Sequence, residues 1–109
     1  MMIRQMTIFD FLPSRYPDIN DIDESEAARI VGDRLGVVFT YNDYFEQWEC
    51  KKGKIKLSLE YDHFNLHDNH DLFLGVGYDC RNPICGGGSP CESIEQAIRY
   101  FERIIQEHG

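Results

Sequence analysis

The chain has no long apolar run and comparatively few basic residues. Its 109 residues include 11 Lys and Arg against 19 Asp and Glu, which gives a formal net charge of −8. The opening residues include Arg4, Gln5 and Asp10, so we expect neither a secretory signal nor a membrane span, and we expect a cytoplasmic protein. Most non-specific affinity for nucleic acid comes from contacts between clustered Lys and Arg side chains and the phosphates. The acidic balance of this chain therefore disfavours direct nucleic-acid binding.

Two catalytic signatures are also missing. The segment Cys85-Gly86-Gly87-Gly88-Ser89-Pro90 has the glycines of a phosphate-binding loop but lacks the lysine that reaches the phosphates. We interpret this segment as a flexible connection. The order of serines, histidines and acids is not distinctive enough to propose a nucleophilic triad. These absences favour a protein that is not an enzyme and needs no cofactor.

An octapeptide near the start of the chain reads Gln5-Met6-Thr7-Ile8-Phe9-Asp10-Phe11-Leu12. Pro13 and Pro17 favour extended structure directly after it, so the apolar peptide can be offered to a partner. The peptide resembles the motif by which polymerases and repair proteins attach to the bacterial sliding clamp, with Gln5, Ile8 and Phe9 at the key positions. Through Ile8, Phe11 and Leu12 it is also similar to the motif for archaeal and eukaryotic clamps.

The resemblance implies that a glutamine amide bonds at the rim of a groove while apolar anchors fill a pocket, where most binding energy of a short peptide lies. The predicted docking residues are Gln5, Met6, Ile8, Phe9, Phe11 and Leu12. The alternative is that this segment packs on the domain's own sheet. We assign residues 1–22 to a docking peptide with a Pro- and Asp-rich linker, and residues 23–109 to a single domain, because the length suits one modest core.

Capping signals and hydrophobic periodicity predict two helices in that domain. The capping-box spacing of Asp23-Glu24-Ser25-Glu26 and the stop at Gly36 predict a helix over 24–35. Ser89 and Ser93 both have capping-box spacing, and an apolar stripe from Ile94 onward predicts a second helix that closes the domain.

Alternating and β-branched residues predict three strands. The first covers residues 37–50 with a bulge at Asn42-Asp43, the second has Ile55, Leu57, Leu59 and Tyr61 facing inward, and the third covers residues 72–79. A turn is expected at Lys52-Gly53. The fold class is therefore an α+β two-layer sandwich in α-β-β-β-α order, with a three-stranded antiparallel sheet and both helices on one face. The order over residues 24–108 resembles the double-stranded RNA-binding domain, but Cys91-Glu92-Ser93-Ile94-Glu95 stands where that family has a basic run.

The four cysteines suggest a possible metal site. Without an export signal we expect them to be thiols or metal ligands rather than disulfides. Cys80, Cys85 and Cys91 flank the triglycine segment and are candidate zinc ligands, although their intervals differ from the usual ligand spacing. The fourth ligand stays open among Cys50, His67 and His70. Buried free cysteines are the alternative.

Two polar clusters carry further alternatives. Lys51, Lys52, Lys54 and Lys56 form a basic hairpin, which we interpret as protection of a sheet edge, with phosphate binding as the alternative. The loop Asp62–Asp71 contains His63, His67 and His70. It is the candidate catalytic site if the protein is a metal-dependent hydrolase, and these histidines could instead make contact with a partner sensitive to pH.

The leading functional hypothesis is a non-enzymatic acidic interaction module, similar in character to phage or mobile-element accessory proteins. Its candidate partners are a sliding clamp, bound by the peptide, and a host nucleic-acid-binding or defence protein, bound by an acidic surface that resembles anti-CRISPR nucleic-acid mimics. The predicted acidic contact residues are Asp21, Asp23, Glu24 and Glu26. The alternatives are a small zinc-containing nucleic-acid-associated protein, using the cysteines and the lysine hairpin, and a hydrolase.

Overall fold

The computed structural model of the chain describes residues 16–66, 69–81 and 84–109. The proposed docking residues Gln5, Met6, Ile8, Phe9, Phe11 and Leu12 lie outside the described residues, as does His67. The side chains of His63 and His70 are not described either. Within these ranges, no helix is long and apolar enough to cross a membrane.

The described chain forms two helices and a five-stranded antiparallel sheet. The helices are α1 (Glu24–Leu35) and α2 (Ile94–His108), and a short 3-10 turn at Ile19–Asp21 precedes α1. The strands are β1 (Thr40–Asn42), β2 (Gln47–Lys52), β3 (Ile55–Leu66), β4 (Asn69–Arg81) and β5 (Ile84–Cys91). Each strand pairs antiparallel with the next along the chain, in the order β1-β2-β3-β4-β5. The fold is α+β, as expected.

The prediction of a three-stranded sheet in α-β-β-β-α order is wrong, and one reason lies in residues 37–50. These residues do not form one bulged strand: β1 and β2 are separate, with Tyr41 opposite Trp48 and Asn42 opposite Gln47. The Asn42 side chain accepts hydrogen bonds from the backbone N–H groups of the two residues after Asp43, which reverses the chain. An asparagine that bonds backbone groups two residues on makes a turn rather than a bulge.

The second reason is the triglycine segment, which is not a flexible connection. Gly86, Gly87 and Gly88 lie inside β5 and pair with residues 77–79 of β4. These glycines pair with β4 through their backbone groups and have no side chains. The sequence therefore contains no alternating side-chain pattern that would predict a strand here. The interpretation of residues 62–71 as a loop is also wrong for most of its length, because β3 continues to Leu66 and β4 begins at Asn69.

The first helix begins and ends where its sequence predicts, and the second begins at one of its two predicted caps. Asp23 accepts a hydrogen bond from the Glu26 backbone N–H at 2.8 Å at the start of α1, and Gly36 ends the helix in the left-handed region with φ of 75°. Of the two candidate caps before α2, Ser93 is the real one, since its hydroxyl accepts from the Gln96 N–H at 3.2 Å. Gly53 occupies the predicted turn between β2 and β3 with φ of 63°.

The core lies between the two helices and one face of the sheet. Ile55, Leu57 and Leu59 of β3 are buried, which confirms that they face inward. Val31 of α1 and Phe101 of α2 belong to the same cluster. The other face carries little bulk along β4 and β5: the glycines at 75, 77, 86 and 88 occupy it, because they alternate with inward-facing residues.

Candidate protein-interaction surface

The turn between β1 and β2, residues 43–46, is held by its own hydrogen bonds. The Oδ1 atom of Asn42 accepts from the N–H of Tyr44 at 2.9 Å and from the N–H of Phe45 at 3.2 Å. Glu46 then returns the chain to the sheet with φ of 54°, a conformation that is uncommon for residues other than glycine. The turn therefore presents Tyr44 and Phe45 in a defined geometry.

Most of the aromatic side chains at this hairpin are open to solvent. Tyr44 is 84% exposed, Phe45 57% and Tyr41 44%. The rings of Tyr44 and Phe45 meet edge to face at 4.8 Å, and those of Tyr41 and Trp48 at 5.3 Å. We call these four residues the aromatic hairpin. Exposed apolar side chains are normal when scattered singly, whereas the adjoining rings of Tyr44 and Phe45 form a small exposed aromatic group of the kind that marks a contact surface.

The base of the aromatic hairpin is fixed to the first helix. The indole Nε1 of Trp48 donates to Glu24 Oε1 at 2.9 Å, and the backbone N–H of Tyr61 donates to the other carboxylate oxygen at 2.7 Å. On the outer face, the Lys56 ammonium lies 5.7 Å from the centre of the Phe45 ring. Lys56 also pairs with Glu49 at 3.5 Å. The exposed rings therefore sit on an ordered base.

Several carboxylates lie near Tyr41 of the aromatic hairpin. The pKa of the Tyr41 hydroxyl is raised by its partial removal from water and then by the charges of Glu46, Glu24, Asp43 and Glu60. The pKa of the Glu60 carboxyl is raised by burial first and then by neighbouring acids, among them Glu24 and Glu46. A negative potential thus coincides with aromatic faces, and both attract guanidinium and ammonium groups.

The predicted acidic contact residues have structural positions of their own. Asp23 caps α1, and hydrogen bonds from the Ser25 hydroxyl and the Glu26 N–H hold the pKa of its carboxyl below the usual range. Glu26 pairs with Arg29 at 2.7 Å, and Asp21 is exposed in the 3-10 turn. Of the four, the structure brings Glu24 to the aromatic hairpin.

The sequence contained a signal for this surface that the strand prediction obscured. Asn42-Asp43 is a pair of strong turn formers standing between Tyr41 and Tyr44. Aromatic residues are typical of strands, so these side chains were assigned to a half-buried sheet. Whether they are exposed depends on the position of the turn. A bulge would keep Tyr44 and Phe45 within a strand, whereas the hairpin places them in the turn between β1 and β2.

The cysteines are arranged differently from the prediction. Cys80 and Cys85 form a disulfide with a Cα–Cα distance of 4.8 Å, so the expectation that all four remain thiols is wrong for this pair. Cys50 and Cys91 are free thiols. Cys91 lies opposite Leu74, six residues before Cys80 on β4 and hence about 20 Å along the strand. The structure therefore brings together Cys80 and Cys85 but not Cys91.

The lysine hairpin borders a cleft at the same end of the sheet. A cavity of about 660 Å³ is lined by Lys51, Lys54 and Lys56 together with Cys80 and Cys85. Lys56 is partly engaged with Glu49. Protection of the sheet edge and binding of an anion both stay open for these lysines.

Comparisons with models of protein families, with curated proteins and with solved structures find no match to this chain.

Proposed function

We propose that the protein is a non-enzymatic interaction module that binds a basic segment of a partner protein through the aromatic hairpin. The observation that carries this proposal is the exposure of Tyr44 and Phe45, 84% and 57%, in a hairpin whose Tyr41 lies near the carboxylates of Asp43, Glu46 and Glu60. The chain's net charge of −8 draws a positively charged partner toward this surface.

The chemistry of the surface suits arginine. A guanidinium group stacks on an aromatic face and donates hydrogen bonds to carboxylates, so Tyr44 with Asp43 or Glu46 can satisfy both preferences at once. Tyrosine and tryptophan are among the residues that dominate binding energies at interfaces. Because Asn42 already orders the turn, binding costs less conformational entropy than it would for a mobile loop.

The natural partner in this proposal is a cytoplasmic protein with a basic groove, such as a host nucleic-acid-binding or defence protein encountered by a mobile element. Clustered carboxylates imitate the charge of a phosphate backbone, and exposed aromatic rings offer flat apolar faces as nucleic-acid bases do. The acidic domain would then compete with nucleic acid for the groove.

Binding of a short arginine–glycine peptide, followed by fluorescence anisotropy, tests this proposal. The double variant Tyr44→Ala, Phe45→Ala leaves the net charge unchanged, and we expect it to weaken binding about tenfold or more, as the loss of two buried anchors would. The control is Ile84→Ala, because Ile84 is 91% exposed but lies at the far edge of the sheet. It should leave the affinity unchanged.

Two results would contradict the proposal. Equal affinity of the double variant and wild type would show that net charge alone attracts the peptide. Absence of binding by the folded wild type at low salt would remove the arginine-recognising role. A lysine–glycine peptide of the same length should bind more weakly than the arginine peptide, because ammonium groups do not stack on rings as guanidinium does.

A second binding function rests on the sequence of the N-terminal peptide. Its clamp-binding-like motif, with Gln5 and Phe9 as key positions, would tether the acidic domain at a replication fork. Binding of the purified protein to bacterial sliding clamp, lost in the Gln5→Ala, Phe9→Ala variant while the domain stays folded, is the expected result. Clamp binding that survives this substitution, or is absent from wild type, would count against the tether.

A further inference from the structure

The Cys80–Cys85 disulfide and the end of α2 meet at one corner of the domain. Cys80 and Cys85 lie directly opposite each other in the β4–β5 register. His108 is the last residue of α2, and its imidazole reaches the same point: the ligand atoms of the three side chains lie within 4.8 Å of one another. Two sulfur atoms and one ring nitrogen therefore converge without any change in the backbone.

The position of His108 is fixed by packing on the sheet. Its imidazole stacks on the ring of Tyr78, with centroids 5.1 Å apart and planes inclined by 23°. Tyr78 lies two residues before Cys80 in β4 and so shares its face. The end of α2 is seated against the β2–β3 turn, where a Cβ on Gly53 would lie 3.6 Å from the backbone of Gly109.

We propose that reduction of the Cys80–Cys85 disulfide opens a zinc site whose ligands are Cys80, Cys85 and His108. A dithiol reductant supplies the two electrons: the S–S bond breaks, each cysteine sulfur gains a proton, and the reductant becomes a disulfide. Zinc then displaces both thiol protons, and the two thiolate charges balance the charge of the ion. None of the three ligands belongs to the aromatic hairpin, so this site is independent of the proposed function.

The separations suit tetrahedral coordination. With Zn–S distances of about 2.3 Å and a Zn–N distance of about 2.0 Å, the sulfur atoms stand about 3.8 Å apart and each lies about 3.5 Å from the nitrogen. These values fall within the 4.8 Å that already encloses the three atoms. Once the sulfur–sulfur bond is broken, rotation of the cysteine side chains supplies the remaining adjustment.

The surroundings favour both steps. The cleft of about 660 Å³ beside Cys80 and Cys85 admits a reductant and an ion. The last carbonyl groups of α2 carry partial negative charge beside His108, which favours a cation there. Two thiolates and an imidazole select zinc over magnesium or calcium.

Titration with Co²⁺ tests the site, because thiolate-bound Co²⁺ has a sulfur-to-metal charge-transfer absorption. The protein is reduced with a dithiol, freed of reductant without oxygen, and titrated beside the oxidised protein. We expect the reduced protein to develop the absorption at one equivalent and the oxidised protein to show none. Zn²⁺ added afterwards should displace Co²⁺ and abolish the band.

Variants identify the ligands. His108→Ala keeps the disulfide and should weaken Co²⁺ binding about tenfold or more, while Cys80→Ser should abolish the charge-transfer band. Cys50→Ala is the control, since Cys50 is a free thiol on β2, and it should bind as wild type does. Absence of binding by the folded reduced protein would overturn the proposal. So would full binding by His108→Ala or by the oxidised protein.

Discussion

The indole Nε1 of Trp48 donates a 2.9 Å hydrogen bond to the carboxylate of Glu24, a residue 24 positions earlier in the chain. The same carboxylate accepts the backbone N–H of Tyr61 at 2.7 Å. One side chain of α1 thereby satisfies an indole donor of β2 and a backbone donor of β3, and the latter lies beyond the residues of β3 that pair with β2.

Replacement of Glu24 by alanine should therefore destabilise the domain. Two part-buried donors would lose their acceptor, which we expect to lower the free energy of unfolding by about 2–3 kcal/mol. Urea denaturation followed by Trp48 fluorescence measures this. The control is Glu102→Ala, since Glu102 is half exposed and 3.9 Å from Arg34, and it should cost less than about 1 kcal/mol. Equal losses in the two variants would contradict the structural role of Glu24.

Gly32 should not tolerate alanine although it lies in a helix. A Cβ at this position would come within 2.6 Å of the Val37 carbonyl oxygen, where the chain leaving α1 crosses back over it. We expect Gly32→Ala to lower the free energy of unfolding by about 1–3 kcal/mol, instead of the gain of about 1 kcal/mol that alanine gives in open helices.

The matched control for Gly32 is Gly75→Ala on the outer face of β4. The nearest atom to an added Cβ there is Glu60 Cγ at 3.5 Å, an ordinary contact. Its free energy of unfolding should change by less than about 1 kcal/mol. A Gly32→Ala variant more stable than Gly75→Ala in thermal unfolding would show that the close approach to Val37 is relieved at little cost.

Tyr61 should make the domain sensitive to alkali. Its hydroxyl donates toward the carbonyl oxygens of Ile19 and Ile22 at 2.9 and 3.0 Å. Burial first, and then the charges of Asp23 and Glu24, raise its pKa to about 12. An unfolded tyrosine ionises near pH 10, so the unfolded state loses its proton first, and stability falls as pH rises through this range.

Comparison with Tyr61→Phe isolates that contribution. The variant should lose about 1 kcal/mol at neutral pH, because the hydroxyl's hydrogen bonds are gone. Its free energy of unfolding should then decline less than that of wild type above pH about 10. Parallel declines for the two proteins would assign the alkaline sensitivity to other groups.

Thiol counting checks the disulfide directly. The unreduced protein should react at two cysteines after unfolding, Cys50 and Cys91, and at four after reduction. In the native state both free thiols should react slowly at neutral pH, because burial raises the pKa of Cys50 to about 11 and raises that of Cys91 as well. Mass spectrometry after alkylation gives the count, and four reactive thiols before reduction would contradict the bond.

The helices and the central strand were predictable because their signals are local. Asp23 and Gly36 fix the ends of α1, and the alternation at Ile55, Leu57 and Leu59 identifies an inward face. The strand β5 gave no such signal, since Gly86, Gly87 and Gly88 at its centre have no side chains and low strand propensity. Its place in the sheet depends on partners in β4 that only tertiary structure supplies.

The candidate sites were less predictable than the fold. The sequence grouped Cys80 and Cys85 with Cys91 and gave no sign of His108, which lies 23 residues after Cys85 in the sequence and comes close to that pair only because α2 packs along the sheet. The exposed state of Tyr44 depends on a turn rather than a bulge at Asn42. In both cases another part of the chain sets the position of the residue. The packing of α2 brings His108 to Cys80 and Cys85, and the side chain of Asn42 forms the turn that carries Tyr44.

The consecutive order of the five strands has a consequence for the rate of folding. Every strand pairs with its neighbour along the chain, so the sheet can grow by successive hairpins, each closing a short loop at low entropic cost. The contacts between α1 and α2 join segments that are far apart in sequence, Glu24–Leu35 and Ile94–His108. Forming them requires closure of a far longer loop. We expect the docking of these helices, rather than the formation of the sheet, to limit how fast the chain folds.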